Sequence, residues 1–401
     1  MSEPGRDEAA TRLMLDFAAR TGLTGDQPAR RYLWTDAFAV CNLLGLGGGG
    51  GSASLRGLAV RLVEQVHHVL GRHRPDDPRT GWISGLSEEA GEAHPTRGGL
   101  RIGKPLPERG PDEPFDPELE WERDGQYYHY LTKWMHALDQ WSRFTGDPSG
   151  NRQARELAVA AHAAFTYAPR AGGTRRMYWK MSIDLRRPLV PSMGHHDPLD
   201  GLVTYLQLRA GGGDPGDGPA LAREVAEMAA IADRRDWVTD DPLGLGGLMT
   251  DAWRLDRLIR RGAGGEALLV PVLAAASRGA AAYLRQRQLE RPLHDRLAFR
   301  ELGLAIGLHA VARLDAAVRE DPRPYEAMPA VRRHLEQLAE HLPQRGVIEA
   351  FWSRPEHRRA DNWLAHHDIN EVMLATTLAP TGYLSLSLVE PGESVDSHAA
   401  A

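Results

Sequence analysis

Arg123-Asp-Gly-Gln-Tyr-Tyr-His-Tyr-Leu-Thr-Lys-Trp-Met-His-Ala-Leu-Asp-Gln-Trp-Ser-Arg143 carries the pattern on which the reading of the whole chain turns. Tyr127, Leu131, Met135 and Leu138 recur at helical spacing, which predicts a long helix opening at Asp124 and stopped by Gly146-Asp147-Pro148. Gln126, His129 and Lys133 fall at i, i+3 and i+7 and are therefore predicted to share a second, polar face. A helix that is apolar on one side and carries amide, imidazole and ammonium groups on another suits the wall of a cavity.

Segments of this kind recur along the chain. Helical periodicity covers 7–21, 36–44, 55–70, 151–166, 197–209, 219–234, 242–259, 265–288, 296–318, 324–342 and 369–378, while alternating β-branched runs are scarce. With 123–143 these form six successive pairs, and the second member of each pair opens with an aspartate, at Asp36, Asp124, Asp197, Asp241, Asp295 and Asp368. Asp is among the best helix N-caps, so capping is the first reading for each. Links between pairs are short, whereas the long irregular stretches 74–122, 169–194 and 343–365 all run into an aspartate-marked start. Helices that alternate up and down would put every long loop on one face. Long loops in a compact domain are commonly functional.

Composition narrows the classes of function. The chain has 401 residues, 42% hydrophobic and 25% charged, with a net charge of −6. That is ample for a large core and ordinary for a globular protein. Lysine occurs only at Lys104, Lys133 and Lys180, and arginine is spread over every segment without a basic stripe, which argues against a nucleic-acid partner. Cys41 is the only cysteine, so an intrachain disulfide and a thiolate-rich zinc site are excluded. The N-terminus lacks the pattern of a signal peptide and no apolar run reaches the roughly 20 residues of a membrane span, so no membrane partner and a cytoplasmic location are expected. The stretch 388–401 is expected to be a flexible tail, and the sequence leaves open both the oligomeric state and the order of the Gly47–Gly51 run.

Six helical hairpins with the more apolar helices inside describe an all-α (α/α)6 toroid, one domain over 1–401 with its long loops on one face. In this organisation the chain resembles the six-hairpin glycosidase-like superfamily. Trp34-Thr-Asp-Ala-Phe38 is similar to the Trp-x-Asp-x-aromatic signature at the catalytic aspartate of unsaturated glucuronyl and rhamnogalacturonyl hydrolases. His196-Asp-Pro-Leu199 is similar to the His-Asp-x-Gly segment of the first of these, without its glycine and in reversed chain order. The N-acylglucosamine 2-epimerase group shares the toroid and uses cavity histidines, a role for which His195 and His196 are placed. The resemblance implies a substrate cleft over the N-terminal ends of the inner helices.

Glycoside hydrolysis needs a protonated carboxyl and a second carboxylate about 5–9.5 Å away. Asp36 is the expected acid, with Asp197 or Asp200 as base and His196 as a further catalytic candidate. The alternative is a sugar epimerase or isomerase in which His195, His196 and His367 move protons near neutral pH. A non-catalytic toroid that binds a glycan or partner protein is the third. Substrate contacts are expected from Trp34, Trp179 and Trp352 as stacking surfaces and from His94, Arg97 and Arg101 in the first long loop. Asp124, Gln126, His129 and Lys133, then His195, His367, Asn370 and Glu371, complete the set. The substrate is expected to be a small carbohydrate or sugar acid. His195-His196-Asp197 and His366-His367-Asp368 are matched triplets, but adjacent histidines on extended chain point apart, so neither a metal nor a cofactor is expected.

Overall fold

The computed structural model describes residues 3–48, 53–169, 173, 175–212, 217–233 and 235–386. Part of the Gly47–Gly51 run and the tail at 388–401 lie outside the described residues. The fold is all-α. Its longer helices are α1 (Glu3–Arg20), α2 (Leu33–Gly47), α3 (Ala53–Leu70), α4 (Tyr128–Thr145), α5 (Ser149–Phe165), α6 (Asp197–Gly211) and α7 (Ala222–Ala232). They continue as α8 (Pro242–Ile259), α9 (Glu266–Arg285), α10 (Ala298–Glu320), α11 (Pro329–Ala339), α12 (Pro343–Trp352) and α13 (His367–Leu378).

The decisive stretch begins its helix later than its periodicity predicts. Gly125 has φ +146, and a Cβ there would stand 2.8 Å from the Met181 carbonyl oxygen. Gln126–Tyr127 then pair antiparallel with Lys180–Met181 as a short strand. Gln126 therefore precedes the helix instead of sharing a face with His129 and Lys133. The far end is as expected: Gly146 adopts the left-handed conformation at φ 74, its amide bonded to the Ser142 carbonyl.

The chain forms two compact units, 18–233 and 1–17 with 234–386. In the first unit α4 lies between α2 and α6, with α3 against α2, α5 against α4 and α7 against α6. The inner helices are apolar nearly all round because they are covered on more than one side; α2 is buried from Leu33 to Leu44. In this unit each outer helix packs most closely on the inner helix that precedes it. The hairpins thus close across the short turns, such as Gly146–Pro148, and the long segments bridge one hairpin to the next.

In the second unit α10 lies between α8 and α13, with α9 on α8, α11 on α9 and α10, and α12 on α10. The α8–α10 approach is set by glycines: a Cβ on Gly246 would lie 2.1 Å from the Gly303 carbonyl oxygen, and one on Gly307 would lie 2.6 Å from Gly246 Cα. Among the described residues α9 alone belongs to a segment with the length and hydropathy of a membrane span. Its apolar side, including Leu269, Leu273 and Tyr283, is buried.

Two of the expected loops hold small elements, helices at Glu88–Ala93 and Pro117–Glu122 and strands at Arg176–Met177, Lys180–Met181 and Pro188–Val190. Lys180–Met181 and Pro188–Val190 form a three-stranded sheet with Gln126–Tyr127 just ahead of α4, and Arg176–Met177 pairs separately with Thr166–Tyr167. The stretch 343–365 is largely helical. Ile348, Glu349 and Trp352 bury one side of α12, too short a pattern to stand out in the sequence. Of the six aspartates only Asp241 is an N-cap residue that accepts a first-turn amide, Gly244 N at 2.9 Å. Asp36 instead reaches back to the Tyr32 amide at 2.8 Å, and Asp295 sits in a 3₁₀ turn ahead of α10.

Candidate functional site

Within the 18–233 unit, α4 and α6 bring together Asp197, Asp200, Lys133 and His129. Asp197 and Asp200 are one turn apart near the start of α6, both 6% exposed. Asp200 accepts a bond from Lys133 Nζ at 2.9 Å and another from the Thr132 hydroxyl. Asp197 is placed differently: its Oδ2 is buried without a hydrogen-bond partner among the described residues. Burial, followed by the nearby Asp200 charge, pushes the Asp197 carboxyl up to about 7, against the opposing pull of Lys133 and the Gly194 amide. Gly194 lies directly against this carboxyl group, and a Cβ there, 2.3 Å from Asp197 Oδ2, would force the carboxyl group to shift.

His129 lies one turn before Lys133 on α4. Burial, then the Lys133 charge, lowers its imidazole to about 3, so it is neutral across the physiological range. Trp179 Nε1 donates to its Nδ1 at 3.3 Å. An indole N–H can only donate, so Nδ1 is the acceptor and the ring proton sits on Nε2. His129 is thereby set up to donate a hydrogen bond.

An aromatic wall surrounds this imidazole. Trp34 on α2 lies 6.0 Å from the His129 ring and 5.4 Å from Tyr130. Tyr127 is 5.3 Å from His129, and Trp179 stacks on it at 6.2 Å and 24°. The Tyr32 and Tyr130 hydroxyls share a 2.6 Å bond, and burial pushes the Tyr32 phenol up to about 12. Trp121, 51% exposed, extends the wall outward at 5.2 Å from Trp179. The tyrosines were not among the residues singled out from the sequence as substrate contacts, although Tyr-Tyr-His-Tyr in the quoted stretch was the available signal. His195 and His196 precede Asp197 with their rings 4.5 Å apart, the first exposed and the second half-buried.

Other candidates in this unit are engaged by protein partners. Asp36 pairs with Arg31 at 3.3 Å and takes the Tyr32 amide at the head of α2. Asp124, fully buried, pairs with Arg101 at 2.5 Å and accepts the Gly103 amide. Gln126 accepts from Leu100 N and donates to the Gly98 and Ile183 carbonyls, tying both long segments to the strand before α4. His94 and Arg97 both contact Glu156, at 2.8 and 3.1 Å.

The remaining candidates belong to the other unit. Trp352 is fully buried and donates to Glu301 Oε2 at 2.8 Å. Asn370, also fully buried, accepts the Phe299 amide and donates to the Trp363 carbonyl. His367 and Glu371 stand 3.9 Å apart on one face of α13 and line a cavity of about 220 Å³ together with Arg358, Arg359, Asp16 and Trp363. No local pattern marks Asp16, because it reaches this cavity from the opposite end of the chain.

No family model matches the chain, and no curated protein matches its sequence. A solved structure of a sugar epimerase from a ruminal bacterium is similar at 11% identity and a TM-score of 0.47, with 86% of this chain and 87% of that one covered.

Proposed function

We propose that the chain is a carbohydrate-active enzyme working by proton transfer, with Asp197 as the acid, and that its reaction is hydrolysis of a glycosidic bond. The observation that carries this is the environment of Asp197. A carboxyl near 7 stays protonated in part at neutral pH, and its buried Oδ2 has no partner to give up before it meets a substrate oxygen. Asp200, held by Lys133, is the companion carboxylate. Two carboxyl groups in contrasting surroundings are the pattern by which one site supplies both acid and base.

In the hydrolytic step Asp197 gives its proton to the oxygen of the departing sugar. Asp200 receives a proton from the water that attacks the anomeric carbon, so water is divided between the two products. His129 Nε2 donates to a sugar hydroxyl, and Trp179 and Trp121 offer ring faces to the sugar, backed by Trp34 and Tyr127. Asp36 is less suited to the acid role, because its oxygens already hold Arg31 and the Tyr32 amide.

The second reading, epimerisation or isomerisation, is favoured by the His195–His196 ring pair directly before Asp197. Product analysis of a panel of small oligosaccharides and sugar acids separates the two, since hydrolysis releases new reducing ends and epimerisation conserves the number of sugars. Under the hydrolase reading Asp197→Asn lowers kcat by about 10²–10⁴-fold and His196→Ala does much less. The reverse order, without new reducing ends, selects the epimerase. Full activity in both variants overturns the assignment of this site.

A further inference from the structure

We propose that the unit formed by residues 1–17 and 234–386 carries a binding site for a small hydroxylated anion, such as a sugar acid, clamped by Arg358 and Arg359. The cavity of about 220 Å³ described above is the site. That volume is below the roughly 300 Å³ at which clefts for drug-sized ligands begin, and suits a single sugar ring.

Its polar groups are unevenly committed. Among the described residues neither Arg358 nor Arg359 has a carboxylate at ion-pair distance, although this chain pairs most of its buried and half-buried arginines. Arg358 Nε is also shielded from solvent without an acceptor. A shielded guanidinium donor with nothing to bond to is unfavourable, and a bound oxyanion would remove that cost. The two arginines follow one another in the 3₁₀ turn His357–Arg359, which fixes that wall. The same cavity is lined by His367 and Glu371 from the first turns of α13, and by Asp16 from α1. Trp363, 1% exposed, adds an aromatic ring to the lining.

This combination favours one ligand chemistry. A bare anion would meet Glu371 and Asp16 as well as the arginines. A neutral sugar would leave the guanidinium groups without a charge partner. A ring bearing both a carboxylate and hydroxyls satisfies both walls, with hydroxyls donating to Glu371 and Asp16 and the carboxylate accepting from the arginines. The sugar half of this inference rests on the proposed carbohydrate activity; the anion half stands on the arginines alone.

The test is titration calorimetry on the full chain with glucuronate, glucose and inorganic phosphate as probes. Glucuronate is expected to bind, glucose at least about tenfold more weakly, and Arg358→Ala or Arg359→Ala each to weaken glucuronate by about tenfold or more, the loss of a charge-assisted bond. Arg358→Lys retains the charge without the fork and is expected to lie between. Unchanged thermal midpoints keep loss of folding from imitating loss of binding. Phosphate binding that disappears in the double alanine variant supports the anion site and gives phosphate as its anion. Equal affinity for glucose and glucuronate, or wild-type binding in the double variant, overturns the proposal. Asp197→Asn, far from these residues in sequence and in the other unit, is the control: dead chemistry with intact glucuronate binding removes nothing from this site, and intact chemistry with no anion binding sinks this inference alone.

Discussion

Asp197 is a carboxyl group whose proton is worth more to the folded chain than to the unfolded one. Its pKa is raised from 3.8 to about 7, so between those values the folded state holds a proton that the unfolded state has released. Stability from this group therefore falls as pH rises through that window, and above about 7 the cost of burying the charge is fully present. At about 1.4 kcal/mol per pKa unit the effect reaches a few kcal/mol. Asp197→Asn removes the slope: its unfolding free energy relative to wild type should increase from pH 4 to pH 8, measured by urea denaturation at each pH. A constant offset from the buried amide does not affect this readout, and parallel curves for the two proteins would refute the titration. His196-Asp197 was legible as a motif, and Asp200 as its neighbour one turn on. What made Asp197 the better acid than Asp36 was not legible, because it depends on how deeply the packed helices bury this carboxyl group, while Arg31 and the Tyr32 amide already occupy the oxygens of Asp36.

At the scale of elements, the long segment before α4 is held by buried side chains that looked like substrate ligands. Asp124 and Gln126 were conspicuous as polar residues at the head of a helix, and that much of the sequence signal was sound. Their partners include backbone groups 21 to 57 residues away, which leave no trace in residue type. Arg101 is the clearest case, donating to Asp124 and to the Arg72 and Val69 carbonyls while 5% exposed. Arg101→Met should cost about 3–5 kcal/mol, since it leaves a buried carboxylate short of its main counter-charge. Arg97→Ala, which removes a pair whose arginine is 48% exposed, should cost less than about 1 kcal/mol. Chemical denaturation of both variants tests the contrast, and comparable losses would mean that Asp124 is satisfied by Arg74 and the backbone amides without Arg101.

At the scale of the molecule, helix content and the order of inner and outer helices followed from apolar periodicity, but the grouping of the chain did not. Residues 1–17 belong with 234–386, and periodicity contains nothing about which distant helix a face will meet. The link is specific. Arg6 on α1 donates to both Glu349 oxygens, at 2.7 and 2.9 Å, and to the Leu378 and Thr377 carbonyls at the end of α13. Burial alone would raise the Glu349 carboxyl, yet bonds from His309 and Arg6 bring it down to about 2. A depressed carboxyl contributes stability that is present above its unfolded pKa and lost as pH falls toward 2, so this junction is acid-sensitive. Arg6→Ala should therefore destabilise the unit of 1–17 and 234–386 by about 3 kcal/mol, the lower end for a broken buried pair because Arg6 keeps partial exposure. Adding Glu349→Gln should recover part of that loss, since the stranded charge is gone and only packing and backbone bonds remain missing. Hydrogen exchange resolved along the chain checks both: faster exchange in α12 and α13 with 18–233 unchanged is the expected result. Uniform acceleration across both units would show instead that the two unfold as one, and that the N-terminal helix secures the whole chain rather than the part it packs on.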